Sequence, residues 1–482
     1  MIRGRVANRQ GPVPGARVRW QGQRDPVFTD HDGLFALPLR SGHAARVTAW
    51  KAGYLIAGTR ADSAPLTLRL SPLPTRDCER YAWVDPAPDA ARARNCGNCH
   101  GEIYREWSAS GHARSVANRH FLNLYDGSDW HGRPAAGWNL LAERPDGTGV
   151  CTACHAPTVT SFNDPAYLDL RQAHGVEAKG VHCDYCHKVA AVDNQHIGLT
   201  HGRFGLKLLR PAEGQLFFGP LDDVDRHEDT FLPVYGQSLY CASCHEGTVF
   251  GVHVYSTYSE WRASPAAKEG RQCQACHMAP TGKLTNIAPG KGGIPRDPKT
   301  LANHLFFAGS RIDMLRRCLK VSASLADGGD GVRVEVAVRA DQVGHRVPTG
   351  FVDRNLLLVV EGLDTDGRPV AARRGPLLAG AAGEGFAGQP GRLYAKLLKD
   401  DDGHSPAPFW RADPDARDSR LLPGQADRTV YVFPGQLDRV RIRLLYRRFW
   451  PQVAAAKHWP DNEIAVVDRL LTRLPPMRSG AR

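Results

Sequence analysis

The chain has 482 residues, of which 42% are hydrophobic, and a formal net charge of +12. This length predicts about two to four domains, and the absence of any apolar run of about 18 residues excludes a membrane-spanning helix. The 62 Lys and Arg residues are dispersed, without a basic block or an aromatic-interleaved basic patch. The positive charge therefore does not indicate nucleic-acid binding.

Residues 1–72 predict a small β-sandwich, because short apolar runs alternate with Gly and Pro turns such as Gly11-Pro-Val-Pro-Gly15. The predicted strands are Ile2–Val6, Ala16–Trp20, Leu34–Leu39, Ala45–Trp50 and Leu66–Leu70. The segments GRVANRQGPVPGARVRW, TDHDGLFALPL and VTAWKAGY resemble the carboxypeptidase regulatory-like fold, a transthyretin-like sandwich. This resemblance implies an adhesion or spacer module without catalysis.

Five copies of Cys-X-X-Cys-His follow, and this pattern is the attachment signature of c-type haem. Each cysteine pair forms thioethers with a haem, and the next residue, His, binds the iron. The alternatives are zinc knuckles or disulfides, and neither needs a His directly after the second Cys. The predicted attachment residues are Cys96, Cys99, Cys151, Cys154, Cys183, Cys186, Cys241, Cys244, Cys273 and Cys276. The predicted proximal iron ligands are His100, His155, His187, His245 and His277.

The motifs divide the middle of the chain into a linker and a haem domain. Residues 73–95 contain Pro and Asp and predict a linker, and residues 96–317 predict a mostly helical and irregular domain that binds five covalent haem c groups. This domain is too short for a conventional core around five cofactors, so we expect the haems to form the core. Their propionates would also offset much of the positive charge.

The sixth iron ligands are expected to be mostly histidines, because the chain has 20 His and only four Met. His112 shares a helical stripe with His100 and Trp107. In a continuous helix His112 would lie about 18 Å from His100, so we expect it to bind the iron of a neighbouring haem. His174 and His201 are further candidates, although a His in such a loop is often only a satisfied polar group.

A partial internal repeat accompanies His112. Tyr104-X-X-Trp107-X-X-Ser110-X-His112-Ala113 matches Tyr258-X-X-Trp261-X-X-Ser264-X-Ala266-Ala267, with Ala266 in the place of His112. The alternative is that two similar helix starts occur by coincidence.

The segment CGNCHGEIYREWSASGHA resembles the multihaem cytochrome superfamily of the nitrifier tetrahaem cytochrome and hydroxylamine oxidoreductase. In that superfamily a Ser-X-His-Ala histidine after the motif is a haem ligand, which implies this role for His112. The segments HLFFAGS and GHRVPTG resemble the same superfamily and imply that His304 and His345 are distal ligands. The resemblance covers about residues 75–450.

Residues 318–482 predict a second β-sandwich with a terminal helix. Apolar residues alternate along Val332–Val338, as in a half-buried strand, and the further predicted strands are Leu356–Val360, Arg428–Phe433 and Val440–Tyr446. Asp461–Leu474 shows a helical apolar stripe behind a capping Asp. His345 lies in a turn between the first two strands and is expected to reach the haem domain; the alternative is a solvent-exposed turn residue.

Haem is attached outside the cytoplasm, so the protein is expected to be exported to the periplasm or cell surface. The chain opens Met1-Ile-Arg-Gly-Arg-Val, without a basic-then-apolar signal segment, and we expect that segment to be missing from this sequence. Export favours a disulfide between Cys78 and Cys318; the alternative is two unrelated buried thiols.

The motifs predict an electron carrier that passes single electrons through closely packed, mostly bis-His haems. Its expected partners are redox proteins or other cytochromes, with self-association left open, and no catalytic residue is predicted. The alternative is an oxidoreductase that acts on a small nitrogen or sulfur compound at one five-coordinate haem, and a third is an adhesive or scaffolding role. All five motifs end in His, without the Lys-type motif of some enzymes in the superfamily, which favours the carrier.

Overall fold

The computed structural model describes residues 1–39, 46–62, 65–147, 149–159, 169–200, 202–307 and 311–473. The chain forms two compact units, and neither is a continuous segment. The first contains Met1–Ala117, Gly149–Cys244 and Gln272–Phe306, and the second contains Asn118–Thr148, His245–Arg271 and Phe307–Arg482. These units cut across the four predicted sequence regions, and all ten motif cysteines belong to the first.

The N-terminal region is rich in β-structure, as predicted. Its strands are β1 (Ile2–Ala7), β2 (Arg17–Trp20), β3 (Val27–Phe28), β4 (Leu34–Leu37), β5 (Arg46–Trp50), β6 (Ala57–Arg60) and β7 (Leu66–Arg69). They form a three-stranded sheet in the order β4-β1-β7 and a four-stranded sheet in the order β3-β2-β5-β6. Alternate apolar side chains such as Val6, Val18, Val47 and Leu68 are buried in one core. The short strands β3 and β6 are absent from the sequence prediction.

This N-terminal region packs against the central part of the first unit. The Gln21 Nε2 donates to the Asp223 carbonyl at 2.9 Å, and the backbone N–H of Gly22 donates to the Asp223 carboxylate at 2.6 Å. Arg296 pairs with the same carboxylate at 2.7 Å. Because the Asp223 side chain is fully buried, the N-terminal sandwich is an integral part of the unit, which differs from the spacer implied by the resemblance.

The central region consists of short helices, small hairpins and irregular chain, as predicted. Its helices are α1 (Gly101–Ser108), α2 (Arg119–Asp126), α3 (Leu140–Glu143), α4 (Gly149–His155), α5 (Cys183–Cys186), α6 (Leu239–His245), α7 (Thr257–Arg262), α8 (Pro265–Lys268), α9 (Cys273–His277) and α10 (Ile312–Cys318). Its strands are β8 (Val189–Val192), β9 (Leu206–Leu208), β10 (Phe217–Gly219), β11 (Asp229–Phe231), β12 (Glu246–Val249) and β13 (Val252–Ser256). In the described ranges every helix is too short or too polar to span a bilayer.

The C-terminal region is β-rich, as predicted. Its elements are β14 (Leu319–Gly328), β15 (Gly331–Ala340), β16 (Asn355–Leu363), β17 (Pro369–Val370), β18 (Gly391–Leu397), β19 (Arg417–Asp418), β20 (Ala426–Phe433), β21 (Arg439–Arg447), α11 (Pro451–Ala456) and β22 (Glu463–Thr472). One sheet has the order β14-β15-β20, and the other has the order β19-β18-β16-β21-β22 with β17 beside β16. Val334, Val336, Leu356, Leu358 and Phe433 are fully buried in their shared core.

The predicted terminal helix at Asp461–Leu474 is wrong. Glu463–Thr472 is strand β22, which pairs antiparallel with β21 along its length. Its β-branched residues Ile464, Val466 and Val467 favour a strand, and the edge of β21 supplies the hydrogen-bonding partner. Val466 is buried, whereas Leu470 of the supposed apolar stripe is 51% exposed. Residue 474 lies outside the described residues.

Candidate haem sites

Each of the five motifs includes a short helical segment. The first lies on a 3₁₀ turn at Cys96–Asn98, and the others lie on α4, α5, α6 and α9. Residues three and four positions apart share one side of a helix. The two cysteines and the histidine of a motif therefore lie on the same side, as two thioether bonds and one iron bond require.

Three motif histidines are already oriented as iron ligands. The Nδ1 atom of His100 lies 2.8 Å from the Ile287 carbonyl, that of His155 lies 3.0 Å from the Ser115 carbonyl, and that of His187 lies 2.6 Å from the Phe218 carbonyl. An imidazole that donates from Nδ1 presents Nε2 to a metal.

Burial also keeps these rings in the form that binds iron. Burial lowers the pKa of His100, His155 and His187, and in each case it is the largest cause. A neutral ring is the state that binds a metal. The motif residues therefore fit a covalently bound haem.

The zinc alternative has no corresponding ligand set. In the part of the chain that the structure describes, no three His, Cys, Asp or Glu side chains converge as they would around a bare metal ion. The cysteines are instead close to cysteines of other motifs.

Sulfur contacts connect the five motifs to one another. The side chain of Cys183 is hydrogen-bonded to that of Cys96, Cys244 to Cys154, and Cys241 to Cys273, and each contact is the largest cause of a raised pKa of the first thiol. Burial raises the pKa of Cys186 to about 12, with a further contribution from Cys244. The contacts join motif one to three, four to two and four to five, and Cys186 of motif three is an electrostatic neighbour of Cys244 of motif four.

His112 is half-buried in the first unit, close to the histidine of the fifth motif. Burial lowers the pKa of His112 to about 4, and His277 lowers it further. Helix α1 ends at Ser108, so the expected continuous helix to His112 is wrong. The chain turns after Ser108, and its path carries His112 to a motif other than that of His100. The role of His112 as a ligand stays a prediction. Its nearest candidate haem is that of the fifth motif, whose proximal ligand is His277.

His304 is half-buried, with its Nδ1 atom buried, near the histidines of two motifs. Burial lowers its pKa to about 3, and His187 and then His100 are the next largest causes. Its backbone N–H donates to the Glu106 carboxylate at 2.8 Å. These neighbours favour the predicted role as a distal ligand.

His345 belongs to the second unit and is half-buried. Its Nδ1 lies 2.9 Å from the Arg346 carbonyl, the same backbone contact that orients the proximal histidines. His245, the histidine of the fourth motif, belongs to the same unit.

The other two predicted ligands have weaker support. The His174 side chain is 89% exposed, with Nδ1 2.8 Å from the Gln172 carbonyl. This exposed position does not favour iron binding. The ligand role of His174 stays a prediction. His201 lies outside the described residues. Cys78 and Cys318 form no disulfide in the structure.

Two further histidines, His120 and His182, have a buried Nε2 atom. His120 lies among Trp130, Phe449 and Trp459 at ring distances of 4.9–6.0 Å, and burial lowers its pKa to about 4. His182 accepts the backbone N–H of Tyr185 through Nδ1, so its Nε2 carries the proton and is a donor. No local pattern distinguishes these residues from surface histidines.

Comparison with known proteins gives two matches. Residues 95–188, which contain the first three motifs, match the family model of cytochrome c554 and c-prime. The fold is similar to the crystal structure of a penta-heme cytochrome c552 from Thermochromatium tepidum, with a TM-score of 0.57 and 22% identity over 78% of this chain and 97% of that chain. These findings support a multihaem c-type cytochrome. No curated protein gives a significant match. The wider superfamily with hydroxylamine oxidoreductase and the N-terminal family stay predictions.

Proposed function

We propose that the protein carries electrons through five covalently attached haems. The observation that carries this proposal is the set of neighbouring sulfurs from different motifs, Cys183 with Cys96, Cys244 with Cys154 and Cys241 with Cys273. Because these sulfurs attach the haem edges, neighbouring haems would lie edge to edge, and single electrons pass readily between such edges. The haem supplies the redox chemistry, and the chain supplies spacing, axial ligands and burial.

Most of these haems would have two histidine ligands. We assign His112 to the haem held by His277 and His304 to the haem held by His187, because each pair is in electrostatic contact. His345 would bind a third haem. Bis-His ligation without methionine favours low reduction potentials.

The protein would act outside the cytoplasm, where c-type haem is attached, and would exchange electrons with other redox proteins. The pentahaem relative of similar fold supports the number of haems, and the five motifs support it independently.

Mass spectrometry and electron paramagnetic resonance of the mature holoprotein test this function. We expect a mass increase of five haem units over the apoprotein, all-low-spin iron, and reversible reduction mainly at low potential. Fewer than five haems in mature protein would contradict the proposal. A high-spin fraction that binds a small nitrogen or sulfur ligand would instead support the oxidoreductase.

A further inference from the structure

The sequence repeat at residues 104–113 and 258–267 is also a structural repeat. The rings of Tyr104 and Trp107 lie 5.8 Å apart in the first copy, and those of Tyr258 and Trp261 lie 5.5 Å apart in the second. Each pair is on a short helix that ends within two residues of the Trp.

The serine of each copy makes the same local hydrogen bonds. Ser110 donates its backbone N–H to the Trp107 carbonyl at 2.8 Å, and Ser264 donates to the Trp261 carbonyl at 2.9 Å. The hydroxyl of each serine accepts the backbone N–H three residues later at 3.4 Å. This agreement favours a repeat over two unrelated helix starts.

Each copy also has a buried glutamate directly before the Trp. Glu106 is 7% exposed, and the Glu260 side chain is 7% exposed. The Glu106 Oε2 accepts the backbone N–H of His304 at 2.8 Å, and the Glu260 Oε2 accepts that of Arg346, next to His345, at 3.2 Å. Both glutamates thus hold the backbone of a segment that carries a candidate haem ligand.

The Glu260 carboxylate accepts four hydrogen bonds, two of them from the segment that follows His345. Besides the Arg346 N–H, it accepts the Thr349 hydroxyl at 2.7 Å, the Ser256 hydroxyl at 2.6 Å and an Arg420 N–H at 2.7 Å. A carboxylate has about four acceptor sites, and all are used. The segment 344–349 is therefore tied to α7 at two points on either side of Val347.

The two copies differ where the first has His112 and the second has Ala266. A Cβ atom on Gly344 would lie 3.1 Å from the Ala266 Cβ and 3.2 Å from the Trp261 Cδ1. The backbone beside His345 thus occupies the space that a histidine at 266 would need. In the first copy the residue at this position, His112, packs against Phe306, with the two rings 4.3 Å apart.

We propose that Glu106 and Glu260 are equivalent positioning residues, which hold His304 and His345 as distal haem ligands by binding the adjacent backbone. In the second copy, His345 is the counterpart of His304, and Ala266 stands where the first copy has His112. This inference rests on the proposed function, because it assumes that both histidines bind iron.

Electron paramagnetic resonance of the full-length holoprotein tests it. Glu260→Ala should convert about one haem in five from low-spin to high-spin, with all haems still attached, and added imidazole should restore the low-spin signal. Glu106→Ala should affect a different haem, and the double variant should affect two. Glu260→Gln keeps one carbonyl oxygen and should convert a smaller fraction. The matched control is Glu335→Ala, which removes a half-exposed partner of Arg428 and should leave every haem low-spin.

Thr349→Val decides the question if Glu260→Ala does not accumulate. It removes the hydroxyl that bonds to Glu260 and to Thr257, with little change in volume, and should shift the low-spin signal and midpoint potential of a single haem. An unchanged spectrum in this variant, or an all-low-spin Glu260→Ala protein, would overturn the proposal. His345→Ala separates the ligand assignment from the positioning role. If this variant also leaves all iron low-spin, the assignment of His345 as a ligand fails. If it creates high-spin iron while Glu260→Ala does not, only the positioning role of Glu260 fails.

Discussion

Replacement of Asp184 by Asn would test a buried ion pair inside the third haem motif. The side chains of Asp184 and Lys188 are both 0% exposed and paired with each other. The Tyr81 hydroxyl and the Val84 N–H also donate to this carboxylate, at 3.0 and 2.8 Å. Asn would leave the Lys188 ammonium buried without its counter-charge. Loss of one partner of a buried pair costs about 3–5 kcal/mol, so we expect a destabilisation of that size.

The assay is denaturant unfolding of the holoprotein, followed by Soret absorbance, for D184N and for the double variant D184N/K188M. The double variant should recover most of the loss, because removing both charges avoids an unpaired buried ion. Burial lowers the pKa of Lys188, so the loss in D184N should shrink as pH rises. Glu102→Gln, which removes an exposed partner of Arg105, is the control and should have little effect. A loss below about 1 kcal/mol in D184N, or equal losses in the single and double variants, would refute the reasoning.

Two further predictions concern Asp353 and His112. Burial raises the pKa of Asp353 to about 7, partly offset by a hydrogen bond from the Trp450 Nε1 at 3.0 Å; the folded state therefore holds the proton more tightly than the unfolded chain. This stabilisation is complete below about pH 4 and is lost as pH rises through 7, by up to about 4 kcal/mol. Unfolding midpoints at pH 5 and 8 should show this decrease in the native protein and not in Asp353→Asn; equal slopes in both proteins would contradict it. His112→Ala should make one haem high-spin without loss of haem mass, and an all-low-spin spectrum would rule out His112 as a ligand.

The strands were predictable where burial alternates with sequence position. Val332–Val338 alternates as expected for one face of a sheet, and the structure buries its valines in the core of the second unit. The terminal segment shows the limit of such patterns. Glu463–Thr472 has an apolar spacing that suits a helix, but its conformation is decided by the edge of β21, a partner that local sequence does not reveal.

The candidate sites divide in the same way. The motif residues are predictable because attachment needs only local spacing on one helical turn, as in Cys273–His277. Distal positions depend on contacts between distant parts of the chain, so spacing places them poorly: His112 lies beside His277 because the chain turns after α1. The same limit applies to Glu260, whose proposed role rests on its contacts with the distant residues Arg346 and Thr349.

The sulfur contacts give the fourth motif a central position in the proposed relay. Cys244 contacts Cys154 of the second motif and lies near Cys186 of the third, while Cys241 contacts Cys273 of the fifth. Among these contacts, the first motif joins through the third. A path with this connectivity is branched at motif four, so electrons arriving from one partner would have two exits beyond that haem. A branched path suits a protein that links more than two redox partners, because each terminal haem could meet a different one.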